Sequence, residues 1–87
     1  MNAKDAYQNT LWNKLPYDLK QSIFVATENG DFSVTVKVTG NDEKDVTNWI
    51  SYLRSLDYET ATNMFVPIQD EKYLTIDWEK SLWKTIK

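Results

Sequence analysis

Hydrophobic side chains recur along this chain with two periods, and each period predicts a different kind of element. From Leu15 to Ala26 the apolar residues have helical spacing, and together with the residues before them they predict a helical region from residue 3 to about residue 29, with a kink near Leu15. Pro16 suits the first turn of the later helix, where its missing N–H costs no hydrogen bond. Gly30 then stands where a left-handed residue commonly ends a helix.

The next segment alternates between apolar and polar residues, as a half-buried strand does. Every even position from Phe32 to Val38 is apolar and every odd position is polar. After Gly40 a second helix is predicted, with Asn41 or Asp42 as its N-cap. Asp57 follows this helix at the position where a C-cap glycine is usual. The buried stripe of the helix is predicted to consist of Val46, Trp49, Ile50, Leu53 and Leu56.

Two more strands complete the predicted domain. Residues 58–66 alternate weakly, and residues 73–78 alternate clearly. The order α-β-α-β-β predicts a single two-layer α+β domain over residues 1–87, with helices on one face of a three-stranded mixed sheet. The helical crossover makes strands one and two parallel, and the final hairpin makes strand three antiparallel to strand two. Residues 79–87 form either a short closing helix or a loose amphipathic end.

The outer face of this sheet is predicted to be polar and free to receive a partner, because Ser33, Thr35 and Lys37 point to it. Aromatic residues divide between core and surface. Core packing is predicted for Trp49, Trp78, Phe24 and Phe32. Edge or outer-face positions are predicted for Tyr52, Tyr58 and Tyr73, where tyrosine is a favoured contact residue, and the terminal Trp12 and Trp83 are the rings least able to become buried.

The charge of the chain and the residue types that it lacks limit the classes of function that the sequence allows. The 87 residues include no Cys and no His, which removes disulfides, thiolate nucleophiles, the common zinc sites and the usual proton shuttle. The net charge is −3, and an acidic middle section argues against direct nucleic-acid binding, since that requires a basic stripe. A partner protein with a basic surface is favoured instead. No apolar run is long enough for a signal peptide or membrane span, so we expect a cytoplasmic protein without a membrane partner.

Catalysis is not expected. Phosphate-binding glycine loops, calcium loops and nucleophile elbows are all missing from the sequence. The acidic pairs have structural explanations, such as the favourable position of negative charge at a helix start. We therefore predict a protein that is not an enzyme and that uses no cofactor and no metal.

Three segments carry a resemblance to a known type of protein. They are residues 23–36, with Gly30-Asp31-Phe32-Ser33-Val34, the helix end and tyrosine over residues 52–58, and the strand over residues 73–78. This pattern resembles small bacteriophage-encoded accessory proteins, although Asp57 replaces a glycine and Asp77 a serine of that pattern. The resemblance covers about residues 20–78. It implies a phage or other mobile-element origin, a host-takeover or anti-defence role, and a location in the host bacterial cytoplasm, but it supplies no site residue.

The leading hypothesis is a non-enzymatic inhibitor that binds a bacterial host or defence protein, for example a CRISPR effector or another nucleic-acid enzyme, through an acidic surface that contains aromatic residues. The alternative is an oligomeric sponge for a small nucleotide signal of bacterial defence, which needs a subunit interface because so small a monomer has little room for a pocket. A virion assembly factor is a third option. The predicted binding residues are Asp42, Glu43, Asp45, Tyr52, Glu59, Asp70 and Tyr73.

Overall fold

A computed structural model describes residues 2–68 and 70–79 of the chain. Three helices and three strands follow one another in the order α-α-β-α-β-β, which confirms the predicted α+β class. The elements are α1 (Ala3–Asn13), α2 (Tyr17–Glu28), β1 (Ser33–Lys37), α3 (Glu43–Ser55), β2 (Glu59–Thr62) and β3 (Tyr73–Asp77).

Side chains at the helix starts explain where the helices begin. The Asn2 side chain accepts a hydrogen bond from the Asp5 N–H at 2.9 Å, and the predicted cap Asp42 accepts one from the Lys44 N–H at 2.8 Å. Each bond satisfies one of the backbone donors that a helix start leaves without a partner. The kinked helical region is in fact two helices, because Pro16 has an extended backbone (ψ 152°) and is the residue before α2 rather than part of its first turn.

Left-handed residues end two of the helices. Gly30 after α2 has φ +82°, and Asp57 after α3 has φ +70°. Glycine adopts this conformation without a steric penalty, whereas other residues pay for the contact between their Cβ and the backbone. Asp57 therefore occupies a glycine-type position, as its place in the sequence predicts.

The sheet has the strand order β1-β3-β2, with β3 antiparallel to both neighbours. The predicted mixed sheet is therefore wrong in this detail. Strands β1 and β2 do run in the same direction, but β3 lies between them. The α3 crossover spans β3, and the 63–72 connection leads the chain back into the central position.

The composition of the strands explains why β3 is central. Its inward side chains, Leu74 and Ile76, are completely buried. The inward positions of β1 hold Val34 and Val36, and those of β2 hold threonines; all of these are only half-buried. A central strand is covered by neighbours on both sides, so placing the largest aliphatic side chains there removes the most apolar surface from water.

The core lies between the inner face of the sheet and the helices. Helix α2 packs on β1, α3 packs on β2, and α1 packs on α3. Two residues of the predicted α3 stripe, Val46 and Leu53, are fully buried, and the others are partly buried. The buried core cluster contains Leu15, Leu19, Ile23, Val38, Val46, Leu53, Met64, Leu74 and Ile76.

Three aromatic rings, each in contact with the next, connect α1 to the sheet. Trp12 stacks on Tyr58 with 6.5 Å between ring centroids, and Tyr58 meets the edge of Trp78 at 6.0 Å. Burial raises the pKa of the Tyr58 hydroxyl. The predicted surface positions of Trp12 and Tyr58 are therefore wrong, because α1 and the inner face of the sheet share a ring contact that no local pattern encodes.

Two phenylalanines are predicted to be buried but lie at the surface. The sequence predicts Phe24 and Phe32 in the core, whereas their side chains are 55% and 49% exposed. Phe24 lies on the solvent side of α2, since the inward side of that helix is formed by Leu19, Ile23 and Ala26. Phe32 precedes β1 at the corner between α2 and the sheet.

The outer face of the sheet is polar, as predicted. Ser33, Thr35 and Lys37 are exposed there, and the Thr35 and Thr75 hydroxyls form a cross-strand hydrogen bond of 2.9 Å. The second strand is shorter than the predicted 58–66 because the chain turns after Thr62. The predicted closing segment beyond Glu79, including Trp83, lies outside the described residues.

Replacing Asp57 with glycine should stabilise the fold. Glycine removes the left-handed penalty of about 1–2 kcal/mol, partly offset by its greater freedom in the unfolded chain, about 0.5–1 kcal/mol. We expect a gain of up to about 1 kcal/mol in the free energy of unfolding, measured by urea denaturation. The control is Asp57→Ala, which removes the same charge but keeps the Cβ. An equal gain in both variants would show that charge, rather than backbone conformation, limits stability here.

Removing the Trp12 ring should loosen the attachment of α1. Because this ring is half-buried against Tyr58, Trp12→Ala should cost about 2 kcal/mol, less than the ~3–5 kcal/mol of a fully buried ring. Tyr7→Ala, at an exposed position of the same helix, should change the free energy of unfolding by less than about 0.5 kcal/mol. Similar losses in the two variants would contradict the assigned role of Trp12.

Candidate functional site

One end of the domain is built from the connection between β2 and β3 and from the turn between β1 and α3. Backbone and side-chain hydrogen bonds join these two segments. The Val38 N–H donates to the Lys72 carbonyl at 2.8 Å, and the Lys72 N–H donates to the Thr39 hydroxyl at 2.7 Å. We call this region, residues 39–45 with residues 63–68 and 70–73, the loop end.

Asn63 fixes the shape of the connection. Its side-chain amide donates to the Glu71 carbonyl at 2.9 Å, and its side-chain oxygen accepts from the Tyr73 N–H at 2.7 Å. The Lys72 ammonium group donates to the Val66 carbonyl. A segment held by this many contacts presents its remaining side chains in a defined arrangement, which lowers the entropic cost of using them in a contact.

The tip of this connection is apolar. Phe65 is 55% exposed, Val66 is 40% exposed and Ile68 is 85% exposed. Core packing does not account for side chains so accessible to water. Exposed apolar groups that lie together and are rimmed by polar residues are typical of protein–protein contact sites.

The segments of the loop end also carry acidic residues. Five of them lie at the loop end, and three lysines lie among or beside them. Two of the lysines are engaged within the domain, Lys37 by Glu71 and Lys72 by the Val66 carbonyl. The acids are Asp42, Glu43, Asp45, Asp70 and Glu71.

Lys37, Glu71 and Tyr73 form a small network on the outer face of the sheet beside the loop end. The Tyr73 hydroxyl donates to the Glu71 carboxylate at 3.0 Å, and the Lys37 ammonium group lies 3.2 Å from the same carboxylate. The hydrogen bond from Tyr73, and next the bond and charge of Lys37, lower the pKa of Glu71. The same carboxylate raises the pKa of Tyr73.

Five of the seven predicted binding residues lie in the segments that make up the loop end. They are Asp42, Glu43 and Asp45 at the start of α3, Asp70 in the connection, and Tyr73 on the outer face of the sheet. The structure does not bring the other two there.

Glu59 lies at the opposite end of the sheet, directly across from Asp77 of β3. Tyr52 belongs to the helix layer, where it is half-buried against the core cluster, and Lys14 lies 5.4 Å from the centre of its ring. The structure therefore places Tyr52 in the helix layer, partly buried against the core, rather than on the outer face of the sheet.

Sequence reasoning missed the apolar tip and Glu71. The sequence predicts a strand over residues 58–66 and a polar loop over residues 67–72, so neither Phe65 nor Ile68 is predicted at an exposed apolar tip. Pro67 was the available signal, because a proline flanked by Val66 and Ile68 puts two apolar residues in a segment that cannot be a central strand.

Two further properties concern only the residues that the structure describes. Within residues 2–68 and 70–79, no group of three acidic, histidine or cysteine side chains is placed to hold a metal ion. None of the described helices is long and apolar enough to cross a membrane.

Comparison of the chain with protein-family models, curated proteins and solved structures gives no match.

Removing the Tyr73 hydroxyl should raise the pKa of Glu71 toward its ordinary value of 4.5, because the main group that stabilises its ionised form is lost. A carboxylate with a lowered pKa stabilises the fold fully above the ordinary value, and this contribution disappears as the pH falls through the lowered pKa. The stability difference between the wild type and Tyr73→Phe should therefore shrink in acid.

Side-chain carbon NMR titration of Glu71 measures this pKa directly. Tyr17→Phe, which changes an exposed ring on α2, is the control and should leave the titration unchanged. A Glu71 pKa that is the same in the wild type and in Tyr73→Phe would contradict the network.

Proposed function

We propose that this protein binds and inhibits a bacterial protein without catalysing a reaction, and that the loop end is its contact surface. The observation that carries this proposal is the exposed apolar tip, Phe65, Val66 and Ile68, on a connection fixed by hydrogen bonds. Interfaces commonly combine an apolar centre with a polar rim, and a few well-placed side chains provide most of the binding energy.

The charge of the loop end supports a partner with a basic surface. Five carboxylates lie in the segments of the loop end, while Lys37 and Lys72 are held by contacts within the domain. Acidic groups in such an arrangement attract a basic partner during encounter and repel acidic ones. A groove that normally holds nucleic acid is a surface of this kind. A CRISPR effector or another nucleic-acid enzyme is therefore a suitable class of target, in keeping with the resemblance to phage accessory proteins.

The test is capture of a partner from a bacterial lysate by the tagged protein, followed by native mass spectrometry. We expect a co-purifying protein that dissociates when the salt concentration is raised, because exposed charges are screened over about 10 Å at 0.1 M and about 3 Å at 1 M salt. The isolated partner should lose its own activity when the protein is added back. A homo-oligomer that carries an additional small-molecule mass would support the nucleotide-sponge alternative instead.

Two pairs of variants assign the contact to the loop end. The triple variant Glu43→Lys, Asp45→Lys and Asp70→Lys should lose the partner. Its control, Asp5→Lys, Asp18→Lys and Glu28→Lys, makes the same change of net charge on α1 and α2 and should retain the partner.

The second pair addresses the apolar tip. Ile68→Asp should abolish capture, and Tyr17→Asp, at another highly exposed position, should not. Equal losses within either pair would show that net charge or general surface change, rather than the loop end, determines binding.

A further inference from the structure

Strand β1 is an edge of the sheet, and its outward backbone groups can be identified from the register. The Trp78 N–H donates to the Phe32 carbonyl at 3.0 Å, and the Val38 N–H donates to the Lys72 carbonyl at 2.8 Å. Hydrogen-bonded pairs alternate along an antiparallel ladder. The even residues of β1 therefore direct their backbone groups toward β3, and Ser33, Thr35 and Lys37 direct theirs away from the sheet.

A groove runs along this edge. A depression of about 490 Å³ lies between α2 and β1 and is lined by Ser22 and Val25 on the helix side and by Ser33 and Val34 on the strand side. A second depression, of about 350 Å³, continues it past Val36. Among the described residues no strand pairs with this edge, and the inward valines remain half-exposed in the groove.

An open edge strand is a template for another strand, and the sequence of β1 is complementary to itself. When two copies run antiparallel with Val34 opposite Val34, Phe32 faces Val36 and Ser33 faces Thr35. In the same register Asp31 of each copy faces Lys37 of the other. Two oppositely charged pairs and three apolar pairs therefore arise from one two-fold arrangement.

We propose that β1 pairs with β1 of a second copy of this chain, which joins two three-stranded sheets into one six-stranded sheet. The strand that pairs with this edge therefore belongs to a second copy of this chain and not to an unrelated peptide. Lys37 can contact Asp31 of the other copy while it keeps Glu71, because an ammonium group has three donors. This inference does not rest on the proposed function, since the loop end and the β1 edge involve different contacts.

The register determines which backbone bonds form between the copies. Ser33 of one copy and Thr35 of the other form a hydrogen-bonded pair, in which the N–H of each residue donates to the carbonyl of the other. Each Thr35 N–H therefore donates across the interface. Proline has no N–H, and it is tolerated at an edge position whose N–H points away from its own sheet. Thr35→Pro therefore removes two interface bonds from the dimer and none from the monomer's own ladder.

The first experiment measures the mass of the full chain by sedimentation equilibrium across a concentration series. We expect twice the 10.2 kDa of one chain at high concentration, and a dissociation constant about 10- to 100-fold higher for Thr35→Pro, from two lost hydrogen bonds. The control Thr35→Ala loses the same contact with the Thr75 hydroxyl but keeps the N–H, and it should dimerise like the wild type. A wild type that is monomeric throughout, or a dimer indifferent to Thr35→Pro, would overturn the proposal.

The second experiment tests the register and does not depend on whether the proline variant folds. The chain has no cysteine, so a single introduced thiol reports one contact. Opposite residues in a non-hydrogen-bonded pair have Cα atoms about 4.5 Å apart, within disulfide range. Val34→Cys should form a disulfide-linked dimer under mild oxidation.

Thr35→Cys is the matched comparison and should cross-link far more slowly. Faster cross-linking of Thr35→Cys than of Val34→Cys would place Thr35 opposite Thr35 and overturn the proposed register. Failure of both variants to cross-link would overturn the pairing itself. Capture of a partner by the loop end should be unaffected by Thr35→Pro, so loss of the dimer and loss of the proposed function are distinguishable.

Discussion

Burial of Leu74 and Ile76 is the constraint on which the rest of this structure depends. Both side chains are fully buried, and each contributes about 1.5–3 kcal/mol by leaving water. A chain of 87 residues has few such groups, so the strand that carries them must have a neighbour on each side and a helix layer above it. The central place of β3, the edge positions of β1 and β2, and the covering of one face only all follow from this requirement.

The helices cover only one face of the sheet. The composition of the remaining surfaces is therefore not determined by the core. The outer face of the sheet is polar and stable in water, and Thr35 and Thr75 satisfy each other's hydroxyl groups across it. The apolar tip of the loop end has no comparable explanation. Phe65 and Ile68 are 55% and 85% exposed, and the exposed part of an apolar side chain adds nothing to the stability of the fold. Exposed apolar side chains of this kind support the proposed contact with another protein.

The parts of the fold that were predictable are those encoded by neighbouring residues. Alternation places Leu74 and Ile76 on one face of a strand, an Asx cap marks the start of α3 at Asp42, and the residue after α3 marks a left-handed turn at Asp57. Strand order was not predictable in this way, because alternation fixes which face a side chain takes but not which strand lies beside it. The contact between Trp12 and Tyr58 joins residues that are distant in the chain, and it was missed for the same reason.

The candidate site was predictable only in part, for a related reason. Charge is visible in the sequence, and the hydrogen bond between Thr39 and Lys72 joins the segment that carries Asp42, Glu43 and Asp45 to the segment that carries Asp70. Glu59 lies at the other end of the sheet, and this separation was not predictable because acidic residues occur at both ends of a strand pair and the sequence does not reveal which end each occupies. Exposure of apolar residues is harder still to predict, because hydrophobicity alone always favours a place in the core.

The loop end and the β1 edge are connected through Lys37, which contacts Glu71 in the loop end and is the last residue of β1. Antiparallel pairing of two β1 strands places the last residue of one copy beside the first residues of the other. The two loop ends of such a dimer therefore lie at opposite ends of the six-stranded sheet. In the proposed dimer, a compact partner of the proposed kind would cover one loop end and leave the other accessible, so the two partner molecules would be held apart rather than one being enclosed between the subunits.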